Sequence, residues 1–342
     1  MSVLHLLGTA GEGGAETYFV DLVKALKRAG VPEAAAMRGN ANREAQLKAA
    51  GVPVKVLRFG GPIDILTRTG AAGFAALQQT KVALAWMNRA ARHTPRGPWA
   101  RIGRLGGYYS LKYYKNFDHL VANTEDIAEW IVGQGWPAGR VTCIPNFAAA
   151  PPQGAPVPRA SLATPDDVPL LLAMGRLHEA KAHDVSLQAL TKLPDAFLWI
   201  AGVGALEAKL KGMAEALGVS DRVRFLGWRT DASALYRTAD LCVFPSRYEP
   251  LGNVVIQAWA HGLPVVAAES QGPKALIQDG KDGLLVPIDD ADALAAGVQR
   301  LLADDGLRQD VIAAGARRVE AEFSEAAVVA QWKTLFAEFG VS

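Results

Sequence analysis

Short apolar runs alternate along the chain with helix-length segments whose apolar positions recur at helical spacing. Val3–Leu7 reads as a strand and Gly8–Gly14 as a glycine-rich loop. A helix over 15–29 follows, with Tyr18, Leu22, Val23 and Leu26 on one face and Gly30 as its stop. Val54–Leu57, Lys81–Trp86 and His119–Asn123 read as further strands, the last leading into a helix after Thr124, and 141–147 as a strand ending in Pro145-Asn146. The alternation restarts with strand Leu170–Met174, helix 182–192, strand Phe197–Ala201, loop 202–204, helix 205–217 and strand Val223–Leu226. Helix 231–238, strand Leu241–Phe244, helix 252–261, strand Val265–Ala267 and a short helix after Pro273 complete this second series. A last helix over 324–339 carries Val328, Trp332, Leu335 and Phe336 at helical spacing and is expected to pack back on the first half. Strands alternating with helices imply βα units and mostly parallel sheets, so the fold class is α/β with two Rossmann-like halves.

Between the halves, Ala148–Pro169 holds Pro151, Pro152, Pro156, Pro158, Pro165 and Pro169, a density that reads as a linker. The expected domains are therefore 1–150, with the C-terminal helix 324–342 packed on it, and 151–323. A chain of 342 residues suits two such domains. Met1–Leu7 has no basic lead and reads as a strand instead of a signal peptide. The most apolar stretch, Ala71–Trp86, is broken by Gln78, Gln79, Thr80 and Lys81, which argues against a membrane span. Cys143 and Cys242 lie in separate apolar runs and read as free buried thiols in a reducing compartment.

Net charge is only +2, but it is unevenly spread. No Asp or Glu occurs from Ile65 to Phe117, where Arg68, Lys81, Arg89, Arg92, Arg96, Arg101, Arg104, Lys112 and Lys115 interleave with Trp86, Trp99, Tyr108, Tyr109, Tyr113 and Tyr114. Such a surface attracts an anionic partner, although amphipathic elements also produce such mixtures with the rings in the core.

Candidate chemistry follows the strands of the second half. Gly175-Arg176 and then Lys181 come directly after strand Leu170–Met174, where two cations would neutralise a departing diphosphate. Pro245 to Asn253 follows a strand and opens a helix, whose first amides favour phosphate or sugar oxygens. Glu249 in that segment would accept hydrogen bonds from sugar hydroxyls, and Gln257 lies further along the helix within reach of a ribose.

In this order the motifs resemble those of glycosyltransferase family 4. The resemblance rests on Gly13-Gly14-Ala15-Glu16, Ile144-Pro145-Asn146, Gly175-Arg176 with Lys181, and Ala239-Asp240-Leu241 with Pro245-Ser246 and Glu249. Gly262, Pro264, Val265 and Val266 continue it, and Asp279-Gly280 with Gly283, Leu285 and Val286 closes it. It implies a GT-B fold, with two parallel sheets facing a central cleft, and a retaining transferase that needs no metal or other cofactor. Arg176 and Lys181 would hold the diphosphate and Glu249 the donor sugar. Gly175, Gly204, Leu251, Gly252, Asn253 and Gln257 would line the donor. The base would lie near Gly227, Trp228 and Arg229, and Gly11, Gly13 and Gly14 would approach the donor phosphate from the other domain. No protein nucleophile is expected, because the leaving phosphate oxygen takes the acceptor proton on the same face.

The chain departs from the family in three places. Gln257 stands where the second Glu of the E-x7-E pair belongs, Lys274-Ala275 replaces a carboxylate after Pro273, and the first-domain His falls at Gly106-Gly107, with His93 as the alternative. The segments Trp86–Pro95 and Leu105–Tyr114 resemble more narrowly the lipopolysaccharide-core mannosyltransferases of alphaproteobacteria. That implies GDP-mannose as donor and transfer of a hexose, mannose, to a lipid-linked anionic glycan of the inner core. Arg89, Arg92, His93, Tyr108 and Lys112 would contact the acceptor, in the cytoplasm at the inner face of the membrane. A membrane surface, but no nucleic acid, is an expected partner.

Alternatives are another glycolipid or exopolysaccharide acceptor, an epimerase of the same fold, or an inactive nucleotide-sugar binder. A dinucleotide dehydrogenase is excluded, since Glu16 and Glu207 stand where G-x-G-x-x-G needs its third glycine. Asp290-Ala291-Asp292 spells a metal-binding DxD but precedes an amphipathic helix, where Asp290 reads as its cap.

Overall fold

The structure, a computed structural model, describes every residue except 12, 62, 149–154 and 342. The expected boundary at 150 and the first prolines of the linker thus lie outside the described residues. The chain divides into two units, Met1–Asn146 with Glu325–Ser342, and Phe147–Ser324.

The first unit is built on seven strands, β1 (Ser2–Leu7), β2 (Glu33–Met37), β3 (Val54–Val56), β4 (Thr80–Trp86), β5 (Ala100–Leu105), β6 (His119–Ala122) and β7 (Val141–Cys143). They form one parallel sheet in the order β3-β2-β1-β4-β5-β6-β7, with the chain reversing direction of growth between β1 and β4. Two of these strands are hidden in the sequence. β2 reads Glu-Ala-Ala-Ala-Met, with little β propensity, yet all five residues are buried. Its Glu33 lies 2.5 Å from His5 of β1, and Trp86 Nε1 donates to His5 Nδ1 at 3.2 Å, so the buried carboxylate and imidazole face each other inside the core, with Glu33 Oε1 making no hydrogen bond among the described residues. β5 carries Arg101 and Arg104 and so does not look apolar. The strand expected over 141–147 stops at Cys143, before Pro145 can break the ladder. Helix Glu325–Glu338 belongs to this unit and contacts helix Gly14–Arg28, with Trp332 and Phe336 fully buried.

The second unit holds β8 (Leu170–Met174), β9 (Phe197–Ala201), β10 (Val223–Gly227), β11 (Leu241–Phe244), β12 (Val265–Ala268) and β13 (Leu284–Val286). All pairs are parallel, in the order β10-β9-β8-β11-β12-β13. Successive residues alternate between two cores. Leu171, Ala173, Leu198, Ile200, Leu241 and Val243 join one, and Leu170, Leu172, Trp199, Ala201, Cys242 and Phe244 the other. Both faces are covered by helices, which is why these strands read as unbroken apolar runs. The short helix near Pro273 begins earlier than expected, at Gln271, with Pro273 in its first turn.

Several motif residues hold the backbone in place. Asp240 Oδ2 accepts from Leu170 N at 2.7 Å and Asp279 Oδ1 from Leu285 N at 2.9 Å. Gly262 and Gly280 turn with φ of 67° and 73°.

Candidate active site

In a parallel sheet the carboxyl ends of all strands share one edge, and open α/β sheets bind ligands there. In the second unit Gly175, Gly202 and Gly227 follow β8, follow β9 and end β10. Their backbones interlock, with Gly175 N on Ala201 O at 3.0 Å, Gly202 N on Gly227 O at 2.9 Å and Leu177 N on Val203 O at 3.0 Å. The loops touch so closely that a methyl on Gly202 would lie 1.9 Å from Gly175 O, and one on Gly204 2.3 Å from Leu177 O. The result is a small backbone floor. Trp228, 57% exposed, and Arg229, paired with Asp231 at 2.5 Å, flank its β10 end.

Lys181 crosses this floor, its stem 3.3 Å from where a Gly175 methyl would sit. Its ammonium pairs with Glu249, lies 5.4 Å from the Phe244 ring centroid, and is only 18% exposed against 14% for Glu249. The other Glu249 oxygen accepts from Gly252 N at 3.2 Å, and Gly272 N donates to the Glu249 carbonyl at 2.7 Å. A methyl on Gly272 would meet the Leu251 carbonyl at 2.6 Å, so that glycine lets the 249–251 segment settle. Gly252 turns with φ 89° into helix Asn253–Ala260, whose first-turn amides face the same loop, with half-buried Gln257 further along. Arg176 is exposed and has no ion pair among the described residues.

The loops that carry Lys181 and Glu249 are clamped by residues the motifs did not reveal. Arg247 forks onto Asp184 at 3.0 and 2.5 Å and donates to Glu179 O at 2.9 Å, while Tyr248 N reaches Ala180 O at 3.3 Å. Loop 175–182 and loop 245–250 therefore move as one body, which fixes the Lys181–Glu249 pair.

His183 sits beneath this floor. Its Nε2 lies 3.4 Å from Gly175 O, and burial, outweighing that carbonyl, depresses its pKa from 6.5 to about 4. It is neutral at pH 7. A base with a depressed folded pKa binds more protons unfolded, so stability is full above pH 6.5 and falls as pH drops toward 4. About 3 kcal/mol is at stake, taking ~1.4 kcal/mol per pKa unit. Urea midpoints at pH 7 and 4.5 should fall less for His183→Gln than for the parent protein; equal losses would remove His183 from the acid response.

In the first unit the loop after β1 is held by Arg43, which donates to Thr9 O at 3.2 Å and Gly11 O at 2.8 Å, while Thr9 Oγ1 donates to Glu16 at 2.8 Å. Gly13 precedes and Gly14 begins helix Gly14–Arg28, whose amino end has no side-chain cap. The residues expected to contact an acceptor do not form one cluster. Arg92 donates to Tyr113 Oη at 2.8 Å and lies 4.8 Å from its ring, with Lys112 5.0 Å from that ring, so Tyr113 is the centre of this basic group. Arg89 is exposed, its stem against Gly8. Tyr108 gives its hydroxyl to Asp126 and its ring edge to Trp130. His93 is fully buried against Phe59, with Nε2 3.3 Å from Gly60 O and a pKa lowered by burial.

Asp290 caps helix Ala291–Ala303 by accepting from Ala293 N at 2.8 Å, and Asp292 pairs with Lys192 at 2.6 Å. Among the described residues no group of three His, Cys, Asp or Glu side chains is arranged for a metal ion, and no helix is long and apolar enough to cross a membrane. Cys143 and Cys242 are free, and burial pushes both thiols up to about 12.

Two doubly wound parallel units with ligand loops on their carboxyl edges define a protein of the GT-B class. The solved glycosyltransferase of Rickettsia africae ESF-5 matches with a TM-score of 0.86 at 18% identity, covering 99% of this chain and 98% of that one. Anabaena Alr3699/HepE in complex with UDP-glucose matches at 0.84 and 19%, covering 99% and 100%. The family model "Glycosyl transferases group 1" matches residues 157–318. The lipopolysaccharide core biosynthesis glycosyltransferase LpsE of Rhizobium meliloti (strain 1021) is 36% identical over 95% of this chain and 96% of its own length. LpsD of the same organism is 35% identical over 98% of both. The chain belongs to this glycosyltransferase family.

Proposed function

We propose that the chain is a retaining hexosyltransferase of family 4 that moves mannose from GDP-mannose to a lipid-linked anionic glycan of the lipopolysaccharide inner core. The observation that carries this reading is the Lys181–Glu249 pair on the glycine floor of the second unit. A diphosphate leaving group needs cations, and Lys181 with exposed Arg176 supplies two without metal. Glu249, already accepting from Gly252 N, has the lone pairs to orient donor hydroxyls. In keeping with the family resemblance, the departing phosphate oxygen takes the acceptor proton. LpsE and LpsD support a core glycan as acceptor. The acid-free stretch from Ile65 to Phe117 supports an anionic one, reached from the cytoplasmic membrane surface.

The test is transfer from GDP-mannose to a deacylated inner-core glycan in EDTA, with the new linkage read by NMR. An α-linkage formed at an undiminished rate is expected. A β-linkage, or loss of turnover restored by Mg²⁺ or Mn²⁺, would overturn the retaining, metal-independent assignment.

A further inference from the structure

We propose that Arg104 binds an acceptor anion in the first unit, holding a carboxylate or phosphate of the glycan beside Gly106. The inference rests on the transferase reading for the identity of its ligand. Arg104 lies near the carboxyl end of β5, in register with Trp86 at the end of β4. It is only 3% exposed. Its guanidinium carbon sits 4.5 Å from the Trp86 ring and 4.9 Å from the Tyr18 ring, and one terminal nitrogen donates to the Asn146 carboxamide. Nε is buried with no hydrogen-bond partner, and no carboxylate among the described residues forms an ion pair with Arg104.

An arginine does not shed its proton to escape burial. This unit therefore keeps a desolvated positive charge among neutral groups, and two ring faces and an amide oxygen compensate it less well than a carboxylate would. Packing alone is served better by Leu or Met at such a position. The cost is offset once an anion arrives from outside.

The space beside it suits one. A methyl added to Gly106 would lie 3.6 Å from Arg104 Nη1, 3.6 Å from Asn123 Nδ2 and 4.0 Å from Tyr109 Oη. A single point is thus bordered by three groups able to donate, and none of them is a carboxylate. Asn123 is 5% exposed, and its Oδ1 makes no hydrogen bond, which leaves the amide free to turn toward a ligand. Oxyanions are the ligands that accept from several such donors at once. None of the acceptor residues expected from the basic segment is among these three.

The test is calorimetric titration of the full chain, with nucleoside diphosphate present, using three glycans: the deacylated inner core, the same glycan with its carboxyl groups reduced to alcohols, and the same glycan treated with phosphatase. The parent glycan should bind at least tenfold more tightly than one neutralised form, which tells carboxylate from phosphate. Arg104→Met should bring that ratio to within about twofold of one, and Arg104→Lys should restore part of it. Should Arg104→Met not fold, Gly106→Ala gives the same reading, because its methyl makes only ordinary contacts yet occupies the anion's place. The thermal unfolding transition of the full chain, followed by circular dichroism, reports whether each variant is folded. A ratio unchanged by Gly106→Ala and Arg104→Met, or a parent glycan that binds no more tightly than either neutralised form, overturns the site. A preserved ratio in a protein that releases no nucleotide from any donor overturns the transferase reading instead.

Discussion

Lys181→Ala is expected to lower kcat/KM by about two to three orders of magnitude, the usual cost of removing one preorganised charge from a transition state. The complication is that Lys181 also neutralises Glu249, whose side chain is only 14% exposed. The two roles separate in a double-mutant cycle. If Lys181 acts only by steadying Glu249, its removal is silent once Glu249→Ala is present. If it meets the diphosphate, it costs at least about tenfold in that background too. Arg176→Ala, with no ion pair among the described residues to lose, should lower kcat/KM by roughly tenfold or more without changing thermal stability.

Gly202→Ala has the largest expected structural effect. A side chain there sits at φ 154° and drives its methyl to 1.9 Å from Gly175 O, so the whole glycine floor must shift. A loss of roughly 3 kcal/mol is expected from backbone strain and collision together. For a unit of this size that lowers Tm by roughly 6–12 °C. Nucleotide affinity should fall in parallel, because the carbonyl being pushed belongs to Gly175. Gly212→Ala, in helix Glu207–Ala216 with nothing within 4 Å of the new methyl, is the control and should leave both within error or slightly improved. Equal behaviour of the two variants would mean that the glycine floor is not under the constraint described.

Legibility in the sequence followed burial. Leu170–Met174, Phe197–Ala201 and Leu241–Phe244 are covered on both faces, so their apolar runs gave the strands to the residue. β2 and β5 were invisible because alanines, Glu33 and Arg104 carry no strand signal, and their burial depends on partners elsewhere in the chain. Lys181 and Glu249 were found through ordered motifs and prove to be in contact although 68 residues apart. The Asp184–Arg247 clamp was missed because neither residue is marked by periodicity or spacing; only the fold brings them together. Gly202 was read as a loop glycine, and the close approach that demands it is a property of backbone geometry alone. In the first unit, charge pattern could not tell solvated Arg89 from Arg104, which is buried against two aromatic rings.

The most direct measurement is nucleotide release from GDP-mannose, ADP-mannose, UDP-glucose and UDP-N-acetylglucosamine, with and without a deacylated inner-core glycan. Release from GDP-mannose that depends on the glycan is the result this account predicts. Tight nucleotide binding with no release from any donor in the presence of the glycan would contradict it, and would mark Gln257 and Ala275 as the signs of a binder.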